Sequence, residues 1–225
     1  MNNANLRQLL GIALLLALVA SCGKKSSDTE EPVTPPAADS ATVRYQVTSS
    51  NRSSGLVNWT TVKGAGKQVA FKGNGTTRIE VYKFNFMPSS FDSPAFELIT
   101  VRVPAGTYTD AEFNYQMIPS RDPALQLIGT YTTGGVSTPV RVNIDQFAEI
   151  ATKLPSVTLA GGKTYNALIT LDLAAIMNGV TAANLNNAAR TNGEIVIAYY
   201  SNVSMLQTII NNINNVVHHQ VTLGE

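Results

Sequence analysis

"KQVAFKGNGTTRIEVYKFNF", Lys67 to Phe86, decides the fold class. Apolar and polar residues alternate through much of it, which is the period of a strand. Asn74-Gly75 interrupts the alternation near its midpoint. Asn-Gly is the strongest short-range hairpin signal, because both positions tolerate positive φ. The stretch is therefore predicted as two antiparallel strands around that dipeptide, with Ile79, Val81, Phe84 and Phe86 in the returning strand.

The same period recurs on both sides. Upstream, Val43, Tyr45 and Val47 alternate with Arg44 and Gln46. Downstream, "AFELITVRV" predicts a strand with Phe96, Leu98, Val101 and Val103 inward. It ends at a turn, Pro104-Ala105-Gly106, and "TYTDAEFNYQM" returns with Ala111, Phe113, Tyr115 and Met117 on one face. A further hairpin spans Thr130 to Asn143 around Gly134-Gly135. Gly161-Gly162 is read as turning Val157-Thr158-Leu159 back into "TYNALITLDL". "EIVIAYY" (Glu194 to Tyr200) is nearly all apolar, as expected of a central strand. Gly64-Ala65-Gly66 lacks the third glycine of a dinucleotide motif and reads as a loop.

Two stretches depart from this period. Leu173 to Asn187 reads as a short helix or a long loop. Residues 202–217 have helical spacing, with Val203, Leu206, Ile210, Ile213 and Val217 on one face and Ser201 or Asn202 placed to cap. The predicted fold is mainly β: an antiparallel β-sandwich over residues 42–225 carrying a C-terminal amphipathic helix. About 185 residues from Ala41 onward suffice for one core that buries about 70% of the unfolded surface.

Upstream of this domain the sequence has a different character. Arg7 precedes an apolar run, Leu9 to Ala20, whose dozen residues fall short of the about 20 that span a bilayer. That pattern predicts residues 1–21 as a cleaved export signal. Val19-Ala20-Ser21-Cys22 resembles the lipobox of bacterial lipoproteins. The resemblance implies cleavage between Ser21 and Cys22 and lipidation of the Cys22 thiol. Cys22 is the one cysteine in the chain, so no intramolecular disulfide supports the fold. Two or three acyl chains anchor far more firmly than one. Gly23 stands where an aspartate would resemble an inner-membrane retention signal, which favours the outer membrane, on its periplasmic face or at the cell surface. Residues 22–41 read as a tether: Lys24, Lys25, Glu30, Glu31 and three prolines with almost no large apolar side chain cannot form a packed core. Its reach is roughly 25 Å. Asp39-Ser40-Ala41 resembles a three-residue O-glycosylation motif of Bacteroidota, which makes Ser40 a candidate site.

Two turn motifs extend the resemblance. Pro104-Ala105-Gly106-Thr107-Tyr108 looks like the hairpin turn common in transthyretin-like β-sandwiches. Leu159-Ala160-Gly161-Gly162-Lys163-Thr164-Tyr165 is similar to a hairpin of fimbrillin-like Bacteroidota lipoproteins. The resemblance implies a transthyretin-like or Ig-like sandwich in an outer-membrane lipoprotein. It implies no known enzymatic activity and supplies no catalytic residues. An arginine processing site, which a strand-exchanging pilus subunit of this kind requires, is not evident.

Composition excludes several function classes. Sixteen Lys and Arg against 15 Asp and Glu give a net charge of +1, and no basic run offers a phosphate-binding surface, so nucleic acid is not an expected partner. The two histidines, His218 and His219, are adjacent and diverge, whereas a metal site needs three or four convergent ligands. No metal and no cofactor are expected. The acids available for proton transfer are Asp92, Asp110, Asp122, Asp145, Asp172, Glu80, Glu97, Glu112, Glu149 and Glu194. Trp59, Tyr82, Tyr108, Tyr131, Tyr199 and Tyr200 are candidate sugar-stacking rings. The function expected is a non-enzymatic binding, adhesion or assembly role at the outer membrane, with an envelope protein or a glycan as partner. Two alternatives stay open: a carbohydrate-binding surface protein, and a glycan hydrolase using paired carboxylates.

Overall fold

The computed structural model describes residues 39–224 except 54, 93 and 215–218. The expected signal, Ser21, Cys22 and nearly all of the tether lie outside the described residues, as do Val217 and His218. The described chain is mainly β. Its elements, in order, are β1 (Ser40–Ser50), β2 (Val57–Asn74), β3 (Arg78–Ser90), β4 (Phe96–Pro104), β5 (Gly106–Met117), β6 (Leu125–Thr133), β7 (Val136–Ile144), β8 (Ala148–Leu159) and β9 (Thr164–Asp172). They continue with α1 (Leu173–Ile176), α2 (Ala182–Asn186), β10 (Arg190–Thr191), β11 (Glu194–Ile197), α3 (Val203–Ile213) and β12 (His219–Gly224). Among the described residues no helix is long and apolar enough to cross a membrane.

Two sheets form. One has the order β12-β9-β1-β4; the other runs β10-β11-β7-β6-β2-β5-β8, with β3 also paired to β2. The expectation of wholly antiparallel sheets is corrected, because β1 pairs with β9 in parallel and β11 with β7 in parallel. Both parallel pairs join strands distant in sequence, which period-two patterning cannot report. "EIVIAYY" is likewise not central: β11 lies one strand from the sheet edge, beside the two-residue β10. After Glu194 it is apolar, and Ile195, Val196 and Ile197 are all buried, as parallel strands covered on both faces are.

The two sheets share one core. Val43, Tyr45 and Val47 of β1 join Val69 and Phe71 of β2 and Phe113 and Tyr115 of β5 in a single cluster. Tyr45 packs its ring 6.1 Å from Phe113 and donates its hydroxyl to the Ala70 carbonyl across the sheets at 2.7 Å. In β4, Leu98 and Val101 are both buried although three residues apart. The cause is a bulge: Tyr45 faces Ile99 while Gln46 faces Glu97, leaving Leu98 without a partner and shifting the phase.

Helices cover the other end of the larger sheet. Tyr131 of β6 donates to Asn186 of α2 at 2.9 Å. Asn212 of α3 donates to the Ile176 and Asn178 carbonyls at the end of α1. The region read as a short helix or a long loop holds two short helices. The predicted C-terminal helix is present but ends at Ile213, and it buries Met205, Leu206, Ile209, Ile210 and Ile213. Val203, expected on that face, is 54% exposed. Asn202 does not cap through its side chain. It adopts φ 55°, and its side chain bonds the backbone of Ala189 and Val196 instead.

Three turns need correction or confirmation. Gly134-Gly135 closes the β6–β7 hairpin as expected, with Thr133 opposite Val136 and both glycines at positive φ. The two tyrosine-bearing turns are not hairpins. Pro104–Tyr108 carries the chain from β4 in one sheet to β5 in the other, and Leu159–Tyr165 carries it from β8 to β9, again between sheets. Each corner is tied by its tyrosine. Tyr108 donates to the Pro104 carbonyl at 2.7 Å, and the Ala160 N–H donates to the Tyr165 hydroxyl at 2.9 Å. Such a tyrosine fixes a change of sheet as readily as a reversal within one.

Candidate functional site

β2 is the element on which the site is built. Its first half, from Val57 to Gly64, pairs with β6, and its second half, from Gly66 to Asn74, pairs with β5. β3 runs along the opposite edge, since Lys63 faces both Ser90 and Gln126, and Gly66 faces both Met87 and Met117. So β5 and β6 leave the same edge of β2 one after the other, and the sheet forks at Ala65. There the Ala65 N–H donates to Ala124 and the Ala65 carbonyl accepts from Ile118. Gly64-Ala65-Gly66 is therefore strand, not loop. A Cβ on Gly64 would stand 2.8 Å from Met117 Sδ and 2.9 Å from Ser89 Oγ. Paired glycines in a strand mark close approach and a bulge, and the register does break between Gly66 and Gln68. That signal was present in the sequence.

At the fork lies a groove of about 560 Å³, lined by Lys63, Ala65, Pro88, Ser90, Asp122 and Gln126 among others. Its volume is in the range of small-ligand sites. Ser89 in its wall bonds the Tyr115 hydroxyl at 2.6 Å and donates to the Gly64 carbonyl. Burial pushes the Tyr115 hydroxyl up to about 12, against a smaller opposing effect of Ser89.

Beyond the groove, register sets three rows of side chains across β3, β2, β5 and β8. They are Phe84–Gln68–Gln116–Glu149, Tyr82–Ala70–Asn114–Ala151 and Glu80–Lys72–Glu112–Lys153. Val69, Phe71, Phe113 and Tyr115 of the opposite phase fill the core, so the rows lie on the outer face. Their charges pair among themselves. Lys72 lies 3.8 Å from Glu80 and 3.4 Å from Glu112, and Lys153 lies 3.4 Å from Glu112. Asn114 donates to both Glu112 and Glu149 at 2.8 and 2.9 Å. Burial pushes the Glu112 carboxyl up, but the Asn114 bond and the two lysines outweigh it and hold it below the usual range.

The structure thus brings two predicted acids, Glu112 and Glu149, to one amide. A general acid needs a raised pKa, and Glu112 is shifted the other way; it serves as an ionised acceptor, and Glu149 accepts from the same amide. The remaining acids with described contacts are structural. Asp92 is pushed up by burial, but Ser90 and Arg52 more than offset this and lower it. Asp172 accepts from Ala174 and Ala175 at the start of α1, and Glu194 pairs with Arg141. Asp110 accepts from Asn74, and Glu97 lies 3.7 Å from Arg44. Asp122 alone among the predicted acids lines the groove.

Of the candidate rings, Trp59, Tyr108 and Tyr131 are core residues. Tyr82 is exposed beside Phe84, ring centres 5.4 Å apart at 71°. Tyr199 and Tyr200 form a second exposed pair, 5.0 Å apart at 88°, on a turn closed by two bonds between Ala198 and Ser201. Neither pair is coplanar.

Ser40, expected at the end of the tether, is the first residue of β1 and 3% exposed. Ala41 beside it is fully buried, and the Ser40 carbonyl accepts from Gly162. The first strand thus starts at Ser40, two residues ahead of residue 42. His219 opens β12 opposite Leu171. Among the described residues no group of three or more His, Cys, Asp or Glu is placed to hold a metal. No known protein family, curated protein or solved structure matches the chain.

Proposed function

We propose that this protein is a lipid-anchored lipoprotein of the bacterial outer membrane whose folded body binds a partner without catalysis. The observation that carries the proposal is the apolar run closing on Val19-Ala20-Ser21-Cys22, followed by a polar, proline-rich spacer up to the start of β1. Two sheets over one core, joined by tyrosine-tied corners, support a body of the β-sandwich class, transthyretin-like or Ig-like in kind. The partner is an envelope protein or a glycan, and the role is adhesive, accessory or assembly-related. Support for binding over turnover comes from Asp92, Asp172, Glu112, Glu149 and Glu194, whose carboxylates are held in ion pairs, a helix cap and hydrogen bonds from amides.

Cys22→Ala tests the anchor directly. The variant is expected to leave the membrane fraction and to take up no labelled palmitate. Unchanged fractionation with unchanged labelling would overturn the proposal.

A further inference from the structure

We infer that the outer face of β3, β2, β5 and β8, together with the fork groove, is a binding track for a neutral oligosaccharide chain. This rests on the non-catalytic binding role proposed above and names the ligand class and the surface. Pro88 and Ser90 of the groove lie on the same phase of β3 as Tyr82 and Phe84, so groove and rows form one surface. From Gly64 to Ala70 the surface extends about 20 Å along the strand.

Its chemistry selects the ligand. Tyr82 and Phe84 are 39% and 53% exposed, and the edge-to-face contact between them holds the pair in place with ring surface open to solvent. Beside them, Ala70 and Asn114 are each 1% exposed, so that row is closed to a ligand and the open surface is the ring pair, the Gln68–Gln116–Glu149 row and the groove. Gln68, Gln116 and Glu149 continue the Phe84 row as amides and a carboxylate. Lys72 and Lys153 pair with Glu80 and Glu112, and the groove sets one lysine, Lys63, against one acid, Asp122. A polyanion finds no cluster of unpaired positive charge among the described residues of this face, and an acyl chain would cover Lys63 and Asp122 of the groove without offering either a hydrogen bond. A neutral polyhydroxyl chain meets both demands: its C–H faces lie on the rings, and its hydroxyls exchange bonds with amides, carboxylate and groove hydroxyls.

The test is affinity electrophoresis of the full chain, in mild detergent, through gels containing amylopectin, β-glucan, galactomannan or arabinoxylan, with heparin as the charged control. Retardation by at least one neutral polysaccharide is expected. Tyr82→Ala with Phe84→Ala should weaken it at least about tenfold while the melting temperature stays within about 2 °C. Tyr199→Ala with Tyr200→Ala should leave it unchanged. Absence of retardation in every neutral gel would overturn the inference while leaving palmitate labelling and fractionation untouched. So would equal retardation by heparin, binding that survives loss of Tyr82 and Phe84, or binding lost with Tyr199 and Tyr200.

Discussion

Gly75 offers a test in which two physical accounts of one glycine give different results. If the Asn74-Gly75 pair formed a two-residue hairpin turn, Gly75 would be needed for its positive φ. The structure assigns another reason. Asn74 pairs with Arg78, the loop is Gly75-Thr76-Thr77 with the Gly75 N–H donating to Thr77, and Gly75 is not at positive φ. A Cβ there would instead stand 3.1 Å from Cε1 and 3.3 Å from Cδ1 of Tyr108. Gly75→Ala therefore adds a methyl against a ring that must give by a few tenths of an ångström. That lies at the low end of overpacking, about 1–1.5 kcal/mol, offset by about 0.5 kcal/mol from the stiffer unfolded chain. The net expectation is a loss of about 1 kcal/mol.

Tyr108→Val removes the ring at a cost of about 3 kcal/mol, and Gly75→Ala on top of it should then stabilise by about 0.5 kcal/mol. The coupling energy from the four-way cycle is about 1.5 kcal/mol. Urea unfolding followed by tryptophan fluorescence reads it, since Trp59 is buried. Equal cost of Gly75→Ala in both backgrounds would refute the steric account and restore a conformational one.

Two further outcomes follow from the polar side chains. With the Tyr115 hydroxyl moved from 10 to about 12, its contribution to stability is complete below pH 10 and is lost as pH rises through 12. Tyr45 is shifted the same way by burial. Tyrosinate absorbance at alkaline pH should thus show a late step coincident with loss of near-ultraviolet circular dichroism, and Tyr115→Phe should shrink that step; a smooth titration with the fold intact would contradict it. Asn202→Ala removes three side-chain bonds to backbone and places alanine at φ 55°, for a loss of about 2–3 kcal/mol. Its melting temperature should fall by about 5–10 °C, and a fall under 2 °C would contradict that role for the side chain.

What the sequence made legible was phase. Val43, Tyr45 and Val47 face the core because period-two alternation and burial are the same fact. Leu98 and Val101 were placed correctly even across a bulge, since both are apolar. Gly134-Gly135 was readable because its two-residue turn depends on local chemistry alone. Partnership was not legible. Pro104-Ala105-Gly106 states that the chain turns, while the sheet receiving β5 is decided by Val69, Phe71 and the core they share with Phe113. Ser40 looked like tether because serine and its neighbours are small and polar, yet it pairs with Pro104 at the start of β1 and its carbonyl accepts from Gly162. The outer-face rows were invisible for a similar reason. Gln68, Gln116 and Glu149 lie far apart in the chain and become a surface only through register.

The pairing of β1 with β9 sets Thr42 against Thr164, a separation of roughly 120 residues. Closing a loop of that length is entropically expensive before any contact rewards it. β1 therefore cannot take its final place until most of the chain is made and β9 is available. Until then, the backbone N–H and C=O groups along that edge of β1 have no strand to pair with. Refolding should consequently be slow, and its vulnerable species is a nearly complete body whose first strand is still loose, able to be captured by another copy's β9.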